Sequence, residues 1–282
     1  MLLKLTLAFA ICSTSFAFLE SLFGHHGFNS NPDVVCIMEH CSRQSADCMG
    51  DANCRANMVC MMKCGMTNHS CMYECMNTYE DKIFDSFMKC LVDDYQCLQL
   101  VPPDPTFRCS PPTAVVKNFS LPQFKGSWYI ALGLNRDYDC FDCQISSYAP
   151  TPNSRNYTLS EKYDVNMLNG TIRHRIAIQQ VEQKDIFNGG NLDFTNTIMG
   201  LTMYEKWQVI DYAESGKYVI MYYCGHMTSD WWYEGNIVYS RTPTISQDDF
   251  KAIADTLETS LGHKVEQYCR PKTQNCDVNS TV

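Results

Sequence analysis

The chain has 282 residues, 17 of them cysteine, and a formal net charge of −9 from 22 Lys and Arg against 31 Asp and Glu. A hydrophobic content of 45% with 12% aromatics is ample for packed cores and excludes general disorder. The acidic balance, with no polybasic run to offset it, argues against nucleic acid as a partner and against an anionic membrane surface.

Residues 1–17 read as a secretory signal peptide, with Lys4 as the positive start, Leu5 to Cys12 as the apolar run and Ser15-Phe16-Ala17 at the cleavage positions. Without Cys12 the chain keeps 16 cysteines, an even number suited to complete pairing. Residues 18–35 form an N-terminal linker. Phe18 also fits the start of a plastid transit peptide, but Glu20 and Asp33 follow it and such peptides are acidic-poor. Secretion or a secretory-pathway lumen is therefore the expected location, with a plastid lumen as the alternative. Nothing later approaches the roughly 18 apolar residues of a membrane helix, so membrane contact is expected only peripherally. Sequons at Asn68, Asn118, Asn156, Asn169 and Asn279 suit a secreted glycoprotein.

Residues 36–97 carry ten cysteines, at 36, 41, 48, 54, 60, 64, 71, 75, 90 and 97. Cys60 and Cys64 share one helix face by their spacing, as do Cys71 and Cys75. Two helices joined by the Gly65 to Ser70 turn then form a hairpin, closed by an inner Cys64–Cys71 bond and an outer Cys60–Cys75 bond. Cys36 and Cys41 facing Cys48 and Cys54 repeat that logic as a second hairpin. About 60 residues bury too little surface for a robust core, and disulfides at roughly 2–4 kcal/mol each are the expected substitute. Cys-x-x-Cys zinc knuckles are absent here, so no metal is expected. Met58, Met61, Met62, Met66, Met72 and Met76 read as adaptable core filling.

A Pro-rich linker over residues 98–112 leads into a different rhythm in residues 113–242. Short alternating runs predict strands at Ser127–Gly133, Cys143–Tyr148, Tyr157–Tyr163, Thr171–Val181, Leu192–Met199, Glu205–Asp211, Lys217–Cys224 and Gly235–Arg241. Eight such strands suggest an up-and-down barrel able to hold a small ligand. Residues 243–282 form a helix and tail: Ser246 and Asp249 resemble a capping box, Phe250, Ile253, Leu257 and Leu261 recur at helical spacing, and Gly262 stands at the stop. The expected fold is mainly β, an eight-stranded lipocalin-like antiparallel barrel with a C-terminal helix, preceded by a small disulfide-rich α-helical hairpin domain. Gly126-Ser127-Trp128-Tyr129 resembles the lipocalin Gly-x-Trp signature, with Arg241 placed to cover Trp128.

The whole order of cysteine module, Pro linker and barrel resembles the violaxanthin de-epoxidase family. Local strings carry the likeness: Val116-Lys117-Asn118-Phe119, Phe124-Lys125-Gly126-Ser127-Trp128-Tyr129, Gly133-Leu134-Asn135, Phe141-Asp142-Cys143-Gln144, Tyr222-Tyr223-x-Gly225 and Val238-Tyr239-x-Arg241. The resemblance implies disulfides Cys36–Cys54, Cys41–Cys48, Cys60–Cys75, Cys64–Cys71, Cys90–Cys97 and Cys143–Cys276. Cys109, Cys140, Cys224 and Cys269 are extras, whose even number allows two further bonds.

The resemblance further implies reduction of an epoxide on a carotenoid-like apolar substrate, with ascorbate as a soluble co-substrate and no bound cofactor. The family's acid precedes a strand Trp by two residues and works with a Tyr on the next strand. Here those positions hold Glu205, before Trp207, and Tyr223. Glu205, Trp207 and Val209 share a strand face, as do Tyr223, Met221 and Val219, so an inward carboxyl would be held neutral and suited to general acid work. Trp128, Asp139, Asp142, Gln144, Trp207, Val209, Met221 and Tyr239 are candidate pocket residues. Departures from the family are Glu205 for its Asp, Gln123 for an Asp, Ser146 for a His, and the missing Glu-rich C-terminal region. The alternative function is a secreted, non-catalytic carrier of an apolar ligand such as a carotenoid or other lipid. No oligomeric state follows from the sequence. The Cys140-Phe141-Asp142-Cys143 string has redox-motif spacing but no thioredoxin-like surroundings, and no nucleotide loop or serine elbow is present.

Overall fold

The computed structural model describes residues 33–65, 68–153, 155–185, 187, 189–274 and 276. The expected signal peptide, most of the 18–35 linker and the Asn279 sequon lie outside the described residues. Among the described residues, no helix is long and apolar enough to cross a membrane. The chain divides into two compact units: residues 33–105 with Asn166–Thr171 and Ile198–Thr202, and Thr106–Val165 with Ile172–Thr197 and the chain from Met203 onward.

The first unit holds five short helices, α1 Val34–His40, α2 Ser42–Gly50, α3 Ala52–Cys64, α4 His69–Tyr79 and α5 Lys82–Met88, followed by a π-helical turn Lys89–Asp94. Side chains of Asp33, Asp51, Asn68 and Asp81 each accept a backbone N–H at the start of α1, α3, α4 and α5, which satisfies at least one of the unpaired donors of each helix start. Replacing Asp51 by alanine removes the 2.8 Å bond from the Cys54 amide and is expected to lower the unfolding midpoint of the protein. Ile37, Met58, Phe84, Phe87 and Leu91 form the small core.

The α3–α4 hairpin carries Cys60–Cys75 and Cys64–Cys71. The second hairpin does not form. Cys36 pairs with Cys97 instead of Cys54, Cys41 pairs with Cys90 instead of Cys48, and Cys48 pairs with Cys54, so no Cys90–Cys97 bond exists. The reason lies in the breaks between helices. Asp51, with ψ 138, turns the chain between α2 and α3 and places Cys48 and Cys54 across one corner. The segment after α5 returns to the start of the module, where the Asp33 amide donates to the Cys97 carbonyl at 2.8 Å. The resulting bridges span 61 and 49 residues, closing far longer loops than the implied local pairs and restricting the unfolded chain more.

The second unit is a closed barrel whose strands pair in sequence order. Its members are β1 Gly126–Gly133, β2 Asp142–Pro150, β3 Asn156–Asn166, β4 Ile172–Glu182, β5 Asn191–Ile198, β6 Leu201–Tyr212, β7 Tyr218–His226 and β8 Trp232–Ser240, and β8 closes on β1. The predicted eight strands are all present, with ends shifted by a few residues. Helix α6, Gln247–Leu261, starts at the Ser246 cap and ends on left-handed Gly262. It packs Ile253 and Leu257 on the barrel's outer face against Leu132, Ile210, Tyr218, Ile220, Tyr222 and Val238.

One end of the barrel is plugged by aromatics. Trp128 is 1% exposed and donates its indole N–H to the Phe124 carbonyl at 2.8 Å, while Phe124 stacks on Tyr148 at 4.5 Å. Arg241 lies 3.5 Å from the centre of the Trp128 ring and donates to the carbonyls of Ser127 and Gln123, the placement expected of it. The four extra cysteines form Cys109–Cys224 and Cys140–Cys269. Cys109–Cys224 ties the segment before β1 to β7, while Cys140–Cys269, Cys143–Cys276 and the Gly133–Cys269 bridge stitch the C-terminal tail to β1, the loop after it and the start of β2.

Candidate active site

Three carboxyl side chains, Asp139, Glu161 and Glu205, lie close enough to perturb one another electrostatically. Glu205 occupies the face of β6 that also carries Trp207 and Val209, in phase with the buried positions of the strand. Its Oε2 accepts from the Trp207 indole at 2.7 Å and its Oε1 accepts from the Tyr233 hydroxyl at 2.7 Å. Trp207 is itself clamped between Phe194, stacked at 4.6 Å, and Tyr223, stacked at 4.8 Å. The expected partner of Glu205 therefore reaches it through an intervening ring. The Tyr223 hydroxyl donates to Asp139 Oδ1 at 2.8 Å instead, because the β6–β7 register sets Trp207 rather than Glu205 opposite Tyr223.

Asp139 sits in the loop after β1 and is 3% exposed. Its Oδ2 accepts from the Asn135 amide at 2.9 Å, and Gly133 makes room for its backbone: a Cβ on that glycine would lie 2.6 Å from the Asp139 carbonyl oxygen. The neighbouring Cys140–Cys269 bond ties this loop to the tail. Glu161, on β3, accepts from the side-chain amides of Gln144 at 3.0 Å and Gln179 at 3.2 Å. The amide oxygens of Gln144, Gln179 and Asn196 are buried without a donor, an acceptor-rich lining suited to hydroxyl groups.

Burial pushes all three acids up. Desolvation dominates at each, holding Glu161 up at about 7 and Asp139 well above the carboxylate range. Glu205 is raised by the same cause, opposed by the hydrogen bonds from Tyr233 and Trp207. Glu161 and Glu205 are intermediate in exposure as whole residues, while Trp207, Tyr223 and Tyr233 beside Glu205 are buried. The set is thus a group of acids whose charged forms burial disfavours, a combination suited to general acid chemistry.

The remaining candidates fall into three groups. Trp207 and Gln144 touch the carboxyls directly, and Val209 and Met221 are fully buried at a paired position of β6 and β7. Trp128 and Tyr239 belong to the plugged end, where Tyr239 receives hydrogen bonds from Ser146 and Tyr148. Asp142 is not a pocket residue: it pairs with Lys272 of the tail at 3.1 Å. The register shift between Asp142 and Ile145, with Cys143 at φ 55, separates it from the strand phase that carries Gln144.

Glu161 and Tyr233 escaped the sequence reading. Glu161 was detectable as the one charged residue in phase with Tyr157, Leu159, Tyr163 and Val165, the buried face of β3. Tyr233 carries a subtler signal, since Tyr-x-Gly occurs both at Tyr223-Cys224-Gly225 and at Tyr233-Glu234-Gly235.

The sequence profile of the family described as the VDE lipocalin domain matches residues 33–275. The chain is 26% identical over 218 residues to violaxanthin de-epoxidase, chloroplastic, of Arabidopsis thaliana, which covers 75% of this chain and 46% of that protein. It is likewise 26% identical over 221 residues to the protein of that name from Spinacia oleracea, covering 76% and 46%. The chain thus spans about half the length of the curated relatives it matches. Among solved structures it is similar to insecticyanin from the tobacco hornworm Manduca sexta, at 13% identity and a TM-score of 0.43 over 58% of this chain and 85% of that one. With a match running from the first helix of the cysteine module to the C-terminal tail, the chain belongs to the VDE lipocalin domain family.

Proposed function

We propose that this protein is an oxidoreductase that removes the oxygen of an epoxide from an apolar, carotenoid-like substrate held in the barrel, with Glu205 as the source of the proton. The observation that carries this reading is the cluster of Asp139, Glu161 and Glu205, hydrogen-bonded to Tyr223, Gln144, Gln179, Trp207 and Tyr233 and pushed toward the neutral form by burial. A carrier has no use for three desolvated acids, whereas epoxide opening needs an acid at the ring oxygen. The relatives named violaxanthin de-epoxidase support the substrate class.

Reduction of an epoxide to an alkene consumes two electrons and two protons and releases the oxygen as water. Ascorbate supplies both electrons and two hydrogens and leaves as dehydroascorbate, so no bound cofactor is required. Aromatic and aliphatic side chains, among them Phe194, Trp207, Val209 and Met221, offer the apolar body of the substrate its surroundings. The orphaned amide oxygens supply acceptors for hydroxyl groups on its end ring. The eight disulfides support work in an oxidising compartment, a secretory or plastid lumen.

Oxidised protein mixed with ascorbate and violaxanthin at about pH 5, where acidity favours the protonated form of the carboxyls, is expected to convert the pigment, followed by chromatography. Absence of turnover across a panel of apolar epoxides, with binding retained, would leave the carrier function in its place.

A further inference from the structure

Glu205 and Asp139 are held in the same way by two tyrosines on adjacent strands. Each carboxyl has one oxygen facing a group that can only donate, the Trp207 indole N–H for Glu205 and the Asn135 backbone N–H for Asp139. The other oxygen faces a phenol, Tyr233 or Tyr223, which can donate or accept. The two Tyr-x-Gly strings build this arrangement. In the β7–β8 register Tyr223 stands opposite Gly235 and Gly225 opposite Tyr233. Each ring lies across the glycine it faces: a Cβ on Gly225 would come within 2.6 Å of the Tyr233 oxygen, and one on Gly235 within 2.4 Å of the Tyr223 oxygen. Glu205 is the β6 partner of Gly225, so the bare backbone of Gly225 is what lets the Tyr233 ring lie across β7 and reach the carboxyl.

This geometry restricts where a proton on Glu205 can sit. On Oε2 it would confront the indole N–H, which has no lone pair to receive it. It therefore sits on Oε1 and points at the Tyr233 oxygen, and the Tyr233 hydroxyl hydrogen must rotate away to another acceptor. We propose that Tyr233 is the terminal proton donor of the site, passing its hydroxyl proton to the ligand oxygen while taking one from Glu205 Oε1, with Gly225 as the slot that positions its ring. The tyrosine is neutral before and after the step, one O–H bond forms on the ligand as one breaks on Glu205, and Glu205 is left as a carboxylate that again accepts from Tyr233 and is reprotonated from water.

Exposure favours the Glu205–Tyr233 pair over its twin. Glu205 is the more exposed residue, intermediate in burial, while Asp139 is 3% exposed. A free phenolate at Tyr233 is disfavoured, since burial and the nearby Glu205 charge push its pKa well up, so the two proton movements are coupled. The titratable groups that share this surrounding are Asp139, Glu161, Tyr138 and Tyr223.

The relay borrows from the proposed reduction only its substrate oxygen, so the experiment has two arms. Tyr233→Phe keeps the ring on Gly225 and removes one oxygen; turnover of violaxanthin with ascorbate is expected to fall by about 10²-fold. Gly225→Ala, which displaces the ring, is expected to give a similar loss, with circular dichroism checking that both variants fold. Infrared titration of the full-length protein supplies the arm that needs no turnover. The protonated-carboxyl band that disappears in Glu205→Gln is expected to change frequency in Tyr233→Phe, and its midpoint to move up, because a bond that favours the charged form is gone. A wild-type rate in Tyr233→Phe overturns the relay and leaves the reduction standing. If the wild type reduces no epoxide, the reduction reading fails, and the infrared band decides the relay: a shift supports it and an unmoved band overturns it.

Discussion

The Glu205→Gln protein is expected to bind the apolar substrate about as tightly as the wild type and to turn it over about 10²–10⁴-fold more slowly. Glutamine is nearly isosteric, and its amide preserves both contacts of the carboxyl: the oxygen can accept from the Trp207 indole, and the nitrogen can donate to the Tyr233 oxygen. Trp207 stays clamped between Phe194 and Tyr223, so the walls of the site do not move. What is lost is the transferable proton alone. Comparing substrate dissociation constants with single-turnover rates separates this outcome from a binding defect. Tryptophan at Val209 or Met221, both fully buried, is expected to do the opposite by filling the interior and abolishing binding. Equal turnover in wild type and Glu205→Gln would remove the carboxyl from the chemistry. Loss of binding in Glu205→Gln would make it a ligand contact instead.

The barrel was legible in the sequence because strand alternation and turn residues are local signals. Each run from Ser127 to Arg241 carries its own phase, and the terminal pair of Trp128 and Arg241 closes the same way in the structure. The disulfide module was legible only where one hairpin sets the pairing, as for Cys60, Cys64, Cys71 and Cys75. Cys36 and Cys41 pair with residues 61 and 49 positions away, and spacing carries no information about such returns of the chain. The site shows the same division. That Glu205 shares a face with Trp207 follows from a period of two, but which tyrosine meets which carboxyl depends on the cross-strand register and on two missing Cβ atoms. Glu161 lay in plain view as a charge on an apolar strand face, and its role as an elevated acid appears only once Gln144 and Gln179 are brought to it from two other strands.

That acid has a consequence for stability which does not depend on the ligand. Glu161 ordinarily titrates near 4.5 and is raised to about 7 in the folded protein, chiefly by desolvation and further by the charge of Glu205. Between those two values the folded state holds a proton that the unfolded state has released, so ν_U − ν_N is negative and stability falls as pH rises. The contribution is intact below about pH 4.5 and fully lost above about pH 7, amounting to about 2–3 kcal/mol after allowance for the residual solvent contact of the side chain. Asp139 and Glu205 are raised by the same cause and act with the same sign. Glu161→Gln stays neutral at every pH and can donate to an orphaned amide oxygen of Gln144 or Gln179 if that amide turns toward it. Denaturant unfolding with the disulfides intact is therefore expected to find the variant more stable than the wild type at pH 8, close to it at pH 4.5, and flatter in between. An unchanged slope between those pH values would mean that Glu161 is ionised and solvated in the folded barrel, and the cluster would lose its neutral member.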